Sequence, residues 1–326
     1  MKNLFIVRTP LQLLNALEAK HHFNTQNNIL IVIYSVNQTD KAQMDKILNE
    51  ADWDEIIKLN QGAKKSIFWE YIQTVKELKK ESIDKMFLVF FRGVQKLFMS
   101  NINAQEIYLI DDGVASLTIQ KNLPILIKEK KWLKELRYQL VGLRTDIAKL
   151  PNFFTAYDLT PYPDQKIVKN SYKYLVSSFL SQTTEDKQHV YLLGQTLIKP
   201  NIVTQDYYLE ILKAIKNHFN HQTVIYIPHR DEQLEDLEAI RVLEDQHFIV
   251  ETSKGAIETE FLENGIYPHY IVSFFTSALF NLEKIFPKSE IYAVKIDSQH
   301  LRERKEAVEH CYIELETKSS IKILPL

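Results

Sequence analysis

Apolar and polar positions follow two alternating patterns along the chain. The segment Ile29–Ser35 (ILIVIYS) is apolar at nearly every position, which is typical of a strand buried on both faces of a parallel sheet. The segment Ser66–Lys80 repeats its apolar residues every three to four positions, as an amphipathic helix does. Because the two patterns alternate, the chain is predicted to be an α/β protein with helices on both faces of a parallel sheet.

Both halves of the chain show this alternation. In the first half, the predicted strands are Asn3–Arg8, Ile29–Ser35, Glu55–Leu59, Lys85–Phe91 and Glu106–Ile110, and the predicted helical segments are Leu11–Lys20, Lys41–Asn49, Ser66–Lys80 and Leu126–Leu143. In the second half, the predicted strands are Val190–Leu193, Thr223–Pro228, His247–Glu251, Tyr270–Ser273 and Glu290–Lys295, and the predicted helices are Ser171–Leu180, Tyr207–Asn220, Ile257–Asn264 and Thr276–Lys284.

Three prolines, Pro151, Pro161 and Pro163, interrupt the pattern between the two halves. Proline lacks a backbone N–H and breaks regular structure. We therefore predict two open α/β domains, 1–175 and 176–326. A ligand cleft is expected between them, with binding groups at the carboxyl ends of strands.

Composition narrows the class of protein. Of 326 residues, 45% are hydrophobic and 25% are charged, which excludes a disordered or fibrous chain. Lys and Arg total 40 and Asp and Glu total 42, so no basic excess exists to bind a nucleic acid, and none is expected as a partner. The single cysteine, Cys311, excludes an internal disulfide and a cysteine-based zinc site.

The chain shows no membrane-spanning pattern. No apolar run reaches the roughly 18–20 residues that cross a bilayer. Met1 to Arg8 has a short apolar core without a small-residue cleavage site, which favours a buried strand over a signal peptide, so a cytoplasmic location is expected. The segment Lys121–Lys149 is rich in basic residues with Trp132 and Leu136 among them. It leaves open a peripheral association with the inner face of the cell membrane, beside the alternative of a helix packed on the core.

Several common site motifs are missing. The chain has only 7 glycines and contains neither GxGxxG nor GxxxxGK[ST], which excludes the dinucleotide fingerprint and the P-loop. No spacing of His, Asp and Glu supports a metal site, so no metal is expected. Asp52-Trp53-Asp54 has a spacing with which some enzymes hold a metal through nucleotide phosphates, but its place between a helix and a short strand favours a solvated connection.

Paired carboxylates follow one of the predicted strands. Asp111, Asp112 and Gly113 come directly after Glu106–Ile110. One carboxylate can accept a proton while the other holds the local geometry or raises the pKa of its neighbour. The alternative is an ordinary turn, because Asp-Gly is a common turn dipeptide.

A histidine follows another strand. Pro228, His229 and Arg230 come directly after the apolar run of Thr223–Ile227. His229 can donate a proton to a leaving phosphate or stabilise its charge, and Arg230 can add a phosphate contact. The alternative is a solvated loop histidine.

Hydroxyl groups lie where a strand gives way to a helix. Thr276 and Ser277 begin the predicted helix that follows Tyr270–Ser273, and a helix N-terminus favours a bound phosphate. The alternative is ordinary capping of the helix. Gly194 and Gln195 end another strand and can offer backbone N–H groups to a ligand.

An acidic pair before Gly, a His beside Pro and a Thr-Ser pair occur in that order along the chain. This order and spacing resemble the bacterial sialyltransferases, above all glycosyltransferase family 52, together with the related family 80 and the bacterial polysialyltransferases. The stretch Thr9-Pro10-Leu11-Gln12 is similar to the opening of family 52 proteins. The segment 265–279 is similar in spacing to their nucleotide-binding end.

The resemblance implies a GT-B fold, in which two Rossmann-like domains face each other across a cleft. The N-terminal domain (1–175) would lie on the acceptor side, and the C-terminal domain (176–326) would bind the nucleotide sugar. The implied reaction is the inverting transfer of sialic acid from CMP-sialic acid to a sugar hydroxyl of a lipooligosaccharide or capsule. It would need neither a metal nor a cofactor.

The resemblance also implies catalytic roles. Asp112 matches the general base that takes the proton from the acceptor hydroxyl, and Asp111 would support it. His229 matches the histidine that assists the departing CMP phosphate. The sequence departs from the family's His-Pro order, because Pro228 precedes the histidine.

The implied nucleotide-binding residues lie in the second half. Thr276 and Ser277 match the hydroxyls that bind the phosphate, although the family's first position is a serine. Glu258 and Glu260 are both candidates for the glutamate that holds the cytidine ribose.

Other functions stay open at this point. One is a GT-B transferase that uses another CMP-nonulosonate or a UDP-hexose, and another is a non-catalytic nucleotide-sugar binding protein of capsule assembly. The expected partners are a nucleotide-sugar donor and a glycan acceptor, and a homodimer is left open.

Overall fold

The structure is a computed structural model that describes residues 1–36, 38–62, 64–89, 93–113, 115–128, 132–147, 149–179, 183–229, 231–251 and 257–326. The chain forms two compact units, Met1–Leu175 (unit 1) and Val176–Leu326 (unit 2). Each unit is built on a parallel β-sheet with helical connections. None of the described helices is both long and apolar enough to cross a membrane.

Unit 1 contains seven strands in the described residues. They are β1 (Lys2–Val7), β2 (Asn28–Tyr34), β3 (Glu55–Asn60), β4 (Ile83–Leu88), β5 (Ala104–Ile110), β6 (Asn152–Thr155) and β7 (Ile167–Lys169). The helices are α1 (Pro10–His22), α2 (Gln38–Ile47), α3 (Lys65–Leu78), α4 (Val94–Asn101), α5 (Ala115–Lys128), α6 (Trp132–Gln139) and α7 (Lys173–Phe179), which contains the boundary between the units.

The unit 1 sheet has the order β3-β2-β1-β4-β5-β6-β7, and its paired strands are parallel. Its two faces bury different clusters, because successive side chains of a strand point to opposite sides. Leu4 and Ile6 of β1 belong to a cluster with residues of α3, α4 and α5, whereas Phe5 and Val7 pack with α1 and α2. Helices therefore cover both faces, as the apolar strand pattern predicts.

Unit 2 has a second sheet. Its strands are β8 (Thr184–Leu193), β9 (Thr223–Ile227), β10 (Phe248–Val250), β11 (Ile266–Ser273), β12 (Glu290–Ala293) and β13 (Lys322–Ile323). Its helices are α8 (Gln205–His218), α9 (Leu234–Arg241), α10 (Ile257–Glu263), α11 (Ser277–Ile285) and α12 (Lys305–Lys318). The strand order β10-β9-β8-β11-β12-β13 reverses between β8 and β11, and ligands bind at such a switch point in open α/β sheets.

The prediction of parallel α/β sheets is confirmed, but several regions differ in detail, among them α4 and β7, which the sequence pattern did not predict. In the predicted helical region Leu126–Leu143, the described residues contain the end of α5 and all of α6, and α5 begins earlier, at Ala115, and continues through Pro124. Because proline normally ends a helix, the sequence pattern did not predict a helix that continues through Pro124. Strand β6 lies in the proline-bounded aromatic stretch, and α12 and β13 follow the strand predicted to be the last.

Strand β8 ends at a glycine that has no room for a side chain. A Cβ atom at Gly194 would lie 2.5 Å from the Glu232 Oε2 and 2.5 Å from the Tyr226 hydroxyl. These two groups are held in place, because the Tyr226 hydroxyl donates a hydrogen bond of 2.5 Å to the Glu232 Oε1 and lies 3.0 Å from the buried Tyr208 hydroxyl. Gly194 therefore permits the close approach of this cluster.

We predict that Gly194→Ala lowers the free energy of unfolding by about 1–3 kcal/mol, because overpacking displaces buried side chains that are bonded to each other. Gly62→Ala is the matched control. Its Cβ would meet only the end of the flexible Ile67 side chain. Urea denaturation followed by circular dichroism measures both variants, and an equal effect of the two substitutions would contradict the prediction.

Candidate active site

The two predicted carboxylates of unit 1 have different surroundings. Asp111 is 1% exposed and Asp112 is half-buried, although both follow β5. Gly113 adopts a φ of 59°, a left-handed conformation that favours glycine, and α5 begins two residues later. The turn therefore encloses the first carboxylate and leaves the second accessible.

The Asp111 side chain is held by groups inside unit 1. The Ser116 hydroxyl donates a hydrogen bond of 2.5 Å to its Oδ1, and the Ala156 N–H donates one of 2.7 Å to its Oδ2. Burial raises the pKa of Asp111 to about 6, although the bonds from Ser116, Ala156 and Thr155 and the charge of Lys169 oppose this rise. Asp111 therefore joins the ends of β5 and β6.

Two buried asparagines continue this network, and sequence reasoning missed both. The Asn15 side-chain amide in α1 donates a hydrogen bond of 3.1 Å to the Asp111 carbonyl oxygen. The Asn170 amide in turn donates one of 3.0 Å to the Asn15 Oδ1. A lone Asn in the apolar helix sequence LLNAL was the available signal, but its partners are distant in the chain.

In unit 2, His229 follows β9 and has a defined orientation. Its Nδ1 accepts a hydrogen bond of 3.2 Å from the Asp231 N–H and lies 3.3 Å from the Thr196 hydroxyl oxygen. Because an N–H group bonds to Nδ1, the neutral imidazole carries its proton on Nε2. In this tautomer Nε2–H is a hydrogen-bond donor.

A half-buried carboxylate holds the backbone of this histidine. The Glu232 Oε2 accepts a hydrogen bond of 2.6 Å from the His229 N–H, while its Oε1 accepts the bond from Tyr226. Burial raises the pKa of Glu232, and its bonds to Tyr226 and His229 oppose the rise. Sequence reasoning missed Glu232, because it lies in an acidic stretch that is otherwise typical of a solvated surface.

The ends of β8 and β11 are linked at the same edge of the sheet. The Gln195 Oε1 accepts a hydrogen bond of 3.1 Å from the Phe275 N–H, and the Ser273 hydroxyl donates one of 2.7 Å to the Leu193 carbonyl oxygen. Gly194 also donates its N–H to the Ile227 carbonyl oxygen at 2.8 Å, so this amide already has a protein partner.

Helix α11 begins beside these strand ends. Thr276 is its N-cap residue, and the Thr276 hydroxyl oxygen accepts a hydrogen bond of 3.3 Å from the Ala278 N–H. Thr276 therefore caps the helix, as the alternative interpretation expects. The hydroxyl protons of Thr276 and Ser277 are still hydrogen-bond donors at a helix N-terminus, where an anion is favoured.

The two candidate glutamates for the ribose lie on α10. Glu258 is buried, and its Oε1 accepts a hydrogen bond of 2.9 Å from the Asn281 amide of α11. Glu260 is half-buried. Glu258 thus links α10 to α11, and the ribose contact stays a prediction for both residues.

The structure brings five of the predicted site residues to the carboxyl edge of the unit 2 sheet. They are Gly194, Gln195, His229, Thr276 and Ser277. Arg230 lies outside the described residues. Within the described ranges, no group of three or more His, Cys, Asp or Glu side chains is arranged to hold a metal ion.

Solved structures with a similar fold share little sequence with this chain. A Listeria monocytogenes protein described as a UDP-N-acetylglucosamine 2-epimerase has 12% identity and a TM-score of 0.55, and the match covers 95% of this chain and 82% of that chain. A UDP-GlcNAc 2-epimerase from Methanocaldococcus jannaschii has 13% identity, a TM-score of 0.53 and coverages of 95% and 87%. The E. coli heptosyltransferase WaaC has 10% identity, a TM-score of 0.50 and coverages of 97% and 100%.

These similarities, together with two Rossmann-like units in succession, assign the chain to the GT-B fold class, as predicted. No curated protein sequence matches the chain significantly. A sequence model described as "Alpha-2,8-polysialyltransferase (POLYST)" matches residues 3–295. The resemblance to bacterial sialyltransferases is confirmed at this level, while the closer likeness to family 52 stays a prediction. The chain belongs to the alpha-2,8-polysialyltransferase family and is a glycosyltransferase.

Proposed function

We propose that this protein transfers sialic acid, with inversion, from CMP-sialic acid to a hydroxyl group of a surface glycan. The family match over residues 3–295 is the observation that carries the proposal. The family's name adds a specific acceptor to test, the 8-hydroxyl of a sialic acid that already ends the glycan.

The edge of unit 2 supports a site for the phosphate of the donor. The N-terminus of α11 supplies a favourable field and the hydroxyls of Thr276 and Ser277. His229 adds the Nε2–H donor. Because these groups favour negative charge, they would stabilise CMP as it leaves.

Unit 1 supports the role of general base for Asp112. Its carboxylate is more accessible than that of Asp111, so an acceptor hydroxyl can reach it. Asp111 would fix the turn through its bonds to Ser116 and Ala156. In this proposal, Asp112 accepts the proton of the acceptor and Asp111 holds the turn in place.

The proposed reaction is a single displacement at the anomeric carbon. The bond from that carbon to the CMP phosphate oxygen breaks, and its electron pair stays on the phosphate. The acceptor oxygen bonds to the opposite face of the carbon, and its proton passes to Asp112. The transition state is oxocarbenium-like, so positioning and charge placement would supply most of the acceleration.

The direct test is to incubate the purified protein with CMP-sialic acid and two acceptors, one ending in galactose and one ending in sialic acid. We expect CMP release and a product heavier by one or more sialic acid residues. UDP-GlcNAc replaces the donor in a parallel reaction. CMP-sialic acid that stays intact while UDP-GlcNAc is consumed would favour the other-donor alternative, and CMP binding without any transfer would favour a non-catalytic protein.

We predict that Asp112→Asn and His229→Ala each lower kcat by about 10²-fold or more, because each removes a positioned proton-transfer or charge-stabilising group. Asp112→Asn should retain CMP binding, measured by calorimetry. The Asp158→Asn variant is the control, because Asp158 is exposed and pairs with Lys169 on the surface of unit 1. Near-normal turnover in either site variant would overturn its assigned role.

We also predict that activity survives EDTA, because His229 and the α11 N-terminus would balance the phosphate charge. The alternative in which Asp52 and Asp54 hold a metal ion is disfavoured, because the Asp54 Oδ2 already accepts a hydrogen bond of 2.7 Å from the Asn28 N–H. Asp52→Asn should leave kcat unchanged. Loss of activity in EDTA with rescue by Mn²⁺ would argue for a metal-dependent enzyme.

Burial of Asp111 generates a pH-dependent prediction. The pKa of about 6 in the folded protein exceeds the ordinary value of 3.8, so the folded state binds the proton more tightly than the unfolded state. The stabilising effect of that proton is full below the ordinary pKa and is lost as the pH rises through the folded value. The free energy of unfolding of the wild type, relative to Asp111→Asn, should therefore fall by roughly 2–3 kcal/mol between about pH 4 and pH 7. Urea denaturation across this range measures it, and parallel pH curves for the two proteins would be the contrary result.

A further inference from the structure

A buried asparagine of α1 contacts the turn that carries Asp112. The Asn15 side chain is fully buried, and its Nδ2 donates a hydrogen bond of 3.1 Å to the carbonyl oxygen of Asp111. That carbonyl belongs to the peptide group between Asp111 and Asp112. Asn15 therefore holds the peptide plane on the N-terminal side of Asp112.

The peptide group on the other side of Asp112 is also held. Its carbonyl oxygen accepts a hydrogen bond of 3.4 Å from the Ala115 N–H at the start of α5. Among the residues that the structure describes, none forms a hydrogen bond or an ion pair with the Asp112 carboxylate itself. Because peptide groups are planar, the two flanking planes determine the backbone dihedral angles of Asp112. A rotation of either plane would therefore move the carboxylate.

The orientation of the Asn15 amide follows from hydrogen-bond chemistry. A carbonyl oxygen can only accept, so Asn15 must direct Nδ2, and not Oδ1, towards Asp111. Its Oδ1 accepts a hydrogen bond of 3.0 Å from the Asn170 Nδ2. Asn170 is oriented in turn, because its Oδ1 accepts a hydrogen bond of 3.0 Å from the Tyr172 N–H. The three bonds thus have one consistent direction, from the Tyr172 backbone to the Asp111 carbonyl.

Packing alone does not account for an amide at this position. Asn15 lies between the buried residues Leu14 and Ala16 in an apolar stretch of α1. A buried amide costs free energy unless its hydrogen bonds are made, whereas an apolar side chain would fill the same space without that cost. The amide is therefore explained by the groups to which it bonds.

A second buried polar residue of α1 provides an internal comparison. Glu18 lies three residues after Asn15, on the same side of the helix, and is 3% exposed. Its carboxylate accepts hydrogen bonds of 3.3 Å and 2.5 Å from the N–H groups of Tyr174 and Leu175 at the start of α7. Both side chains therefore attach α1 to the segment 170–175, but of the two only Asn15 also bonds to the turn of Asp112.

We propose that Asn15 is a positioning residue that orients the Asp112 carboxylate, and that Asn170 holds the Asn15 amide in the required orientation. This inference rests on the proposed function, in which Asp112 takes the proton of the acceptor hydroxyl. A general base must lie within hydrogen-bond reach of that proton, and a misplacement of about 1 Å can lower the rate by about 10²-fold. Loss of the Asn15 donor should therefore lower kcat and leave nucleotide binding, whose candidate site is in unit 2, unchanged.

Steady-state kinetics of the full chain with CMP-sialic acid test the proposal. Asn15→Leu removes the donor and retains a similar volume, so kcat should fall by about tenfold or more while the KM for CMP-sialic acid changes by less than about twofold. Glu18→Gln is the matched control, because Glu18 is equally buried and binds the same segment; its kcat should change by less than about twofold. Near-normal kcat in Asn15→Leu, or an equal loss in Glu18→Gln, would overturn the proposal.

Asn15→Asp gives a pH-dependent readout that a general loss of stability would not produce. The new carboxyl group can donate a hydrogen bond to the Asp111 carbonyl only while it is protonated, and once ionised it repels that oxygen. Because burial favours the protonated form, kcat relative to the wild type should fall by about tenfold or more between about pH 6 and pH 8.5. Asn15→Leu should show no such additional step. A constant ratio of variant to wild type across this range would overturn the proposal.

Asn170→Ala replaces this test if Asn15→Asp does not fold. It leaves the Asn15 side chain in place and removes the amide that orients it, so kcat should fall by about threefold or more. An unchanged kcat in this variant would be evidence against the proposal.

Hydrogen exchange tests the same contact without the reaction. The peptide that contains Asp112 and Ala115, followed by mass spectrometry, should exchange about tenfold faster in Asn15→Leu than in the wild type and at an unchanged rate in Glu18→Gln. The same change in both variants, or no change in either, would overturn the proposal. Absence of sialic acid transfer by the wild type would count against the proposed function alone, because the exchange result still decides whether Asn15 fixes the turn.

Discussion

The Glu232 carboxylate is the interaction on which the edge of unit 2 depends. One of its oxygens holds the His229 backbone and the other holds the Tyr226 hydroxyl. The cluster needs Gly194 at the end of β8, because a Cβ there would overlap both partners. The loop histidine is thus fixed at its backbone by the half-buried Glu232 carboxylate and at its ring by the Asp231 N–H.

Each unit has its candidate residues at the ends of strands, but the two turns are organised differently. In unit 1, the enclosed Asp111 ties β5 to β6 and leaves Asp112 accessible. In unit 2, hydrogen bonds from Phe275 and Ser273 link the ends of β8 and β11. Parallel strands bring their carboxyl ends to one edge, so residues far apart in sequence become neighbours within a unit.

The strands could be predicted where apolar runs are continuous, as in β2 and β9, and the candidate residues could be predicted because they follow those runs directly. The local pattern alone did not distinguish Asp111 from Asp112, and only the family resemblance assigned them different roles, since the difference arises from burial and from the hydrogen bonds of Ser116 and Ala156. Glu232 and Asn15 also escaped prediction, because their roles depend on partners that the fold, and not the local pattern, brings near. Helix α5 was missed in part because Pro124 interrupts its pattern.

The central claim is that a nucleotide monophosphate binds where α11 begins, beside His229. A crystal structure of the protein with CMP tests it most directly. The phosphate is expected within hydrogen-bond distance of the Ser277 hydroxyl and the His229 Nε2, with the Glu232 cluster unchanged. A CMP molecule bound elsewhere, with its phosphate away from the N-terminus of α11, would contradict the claim.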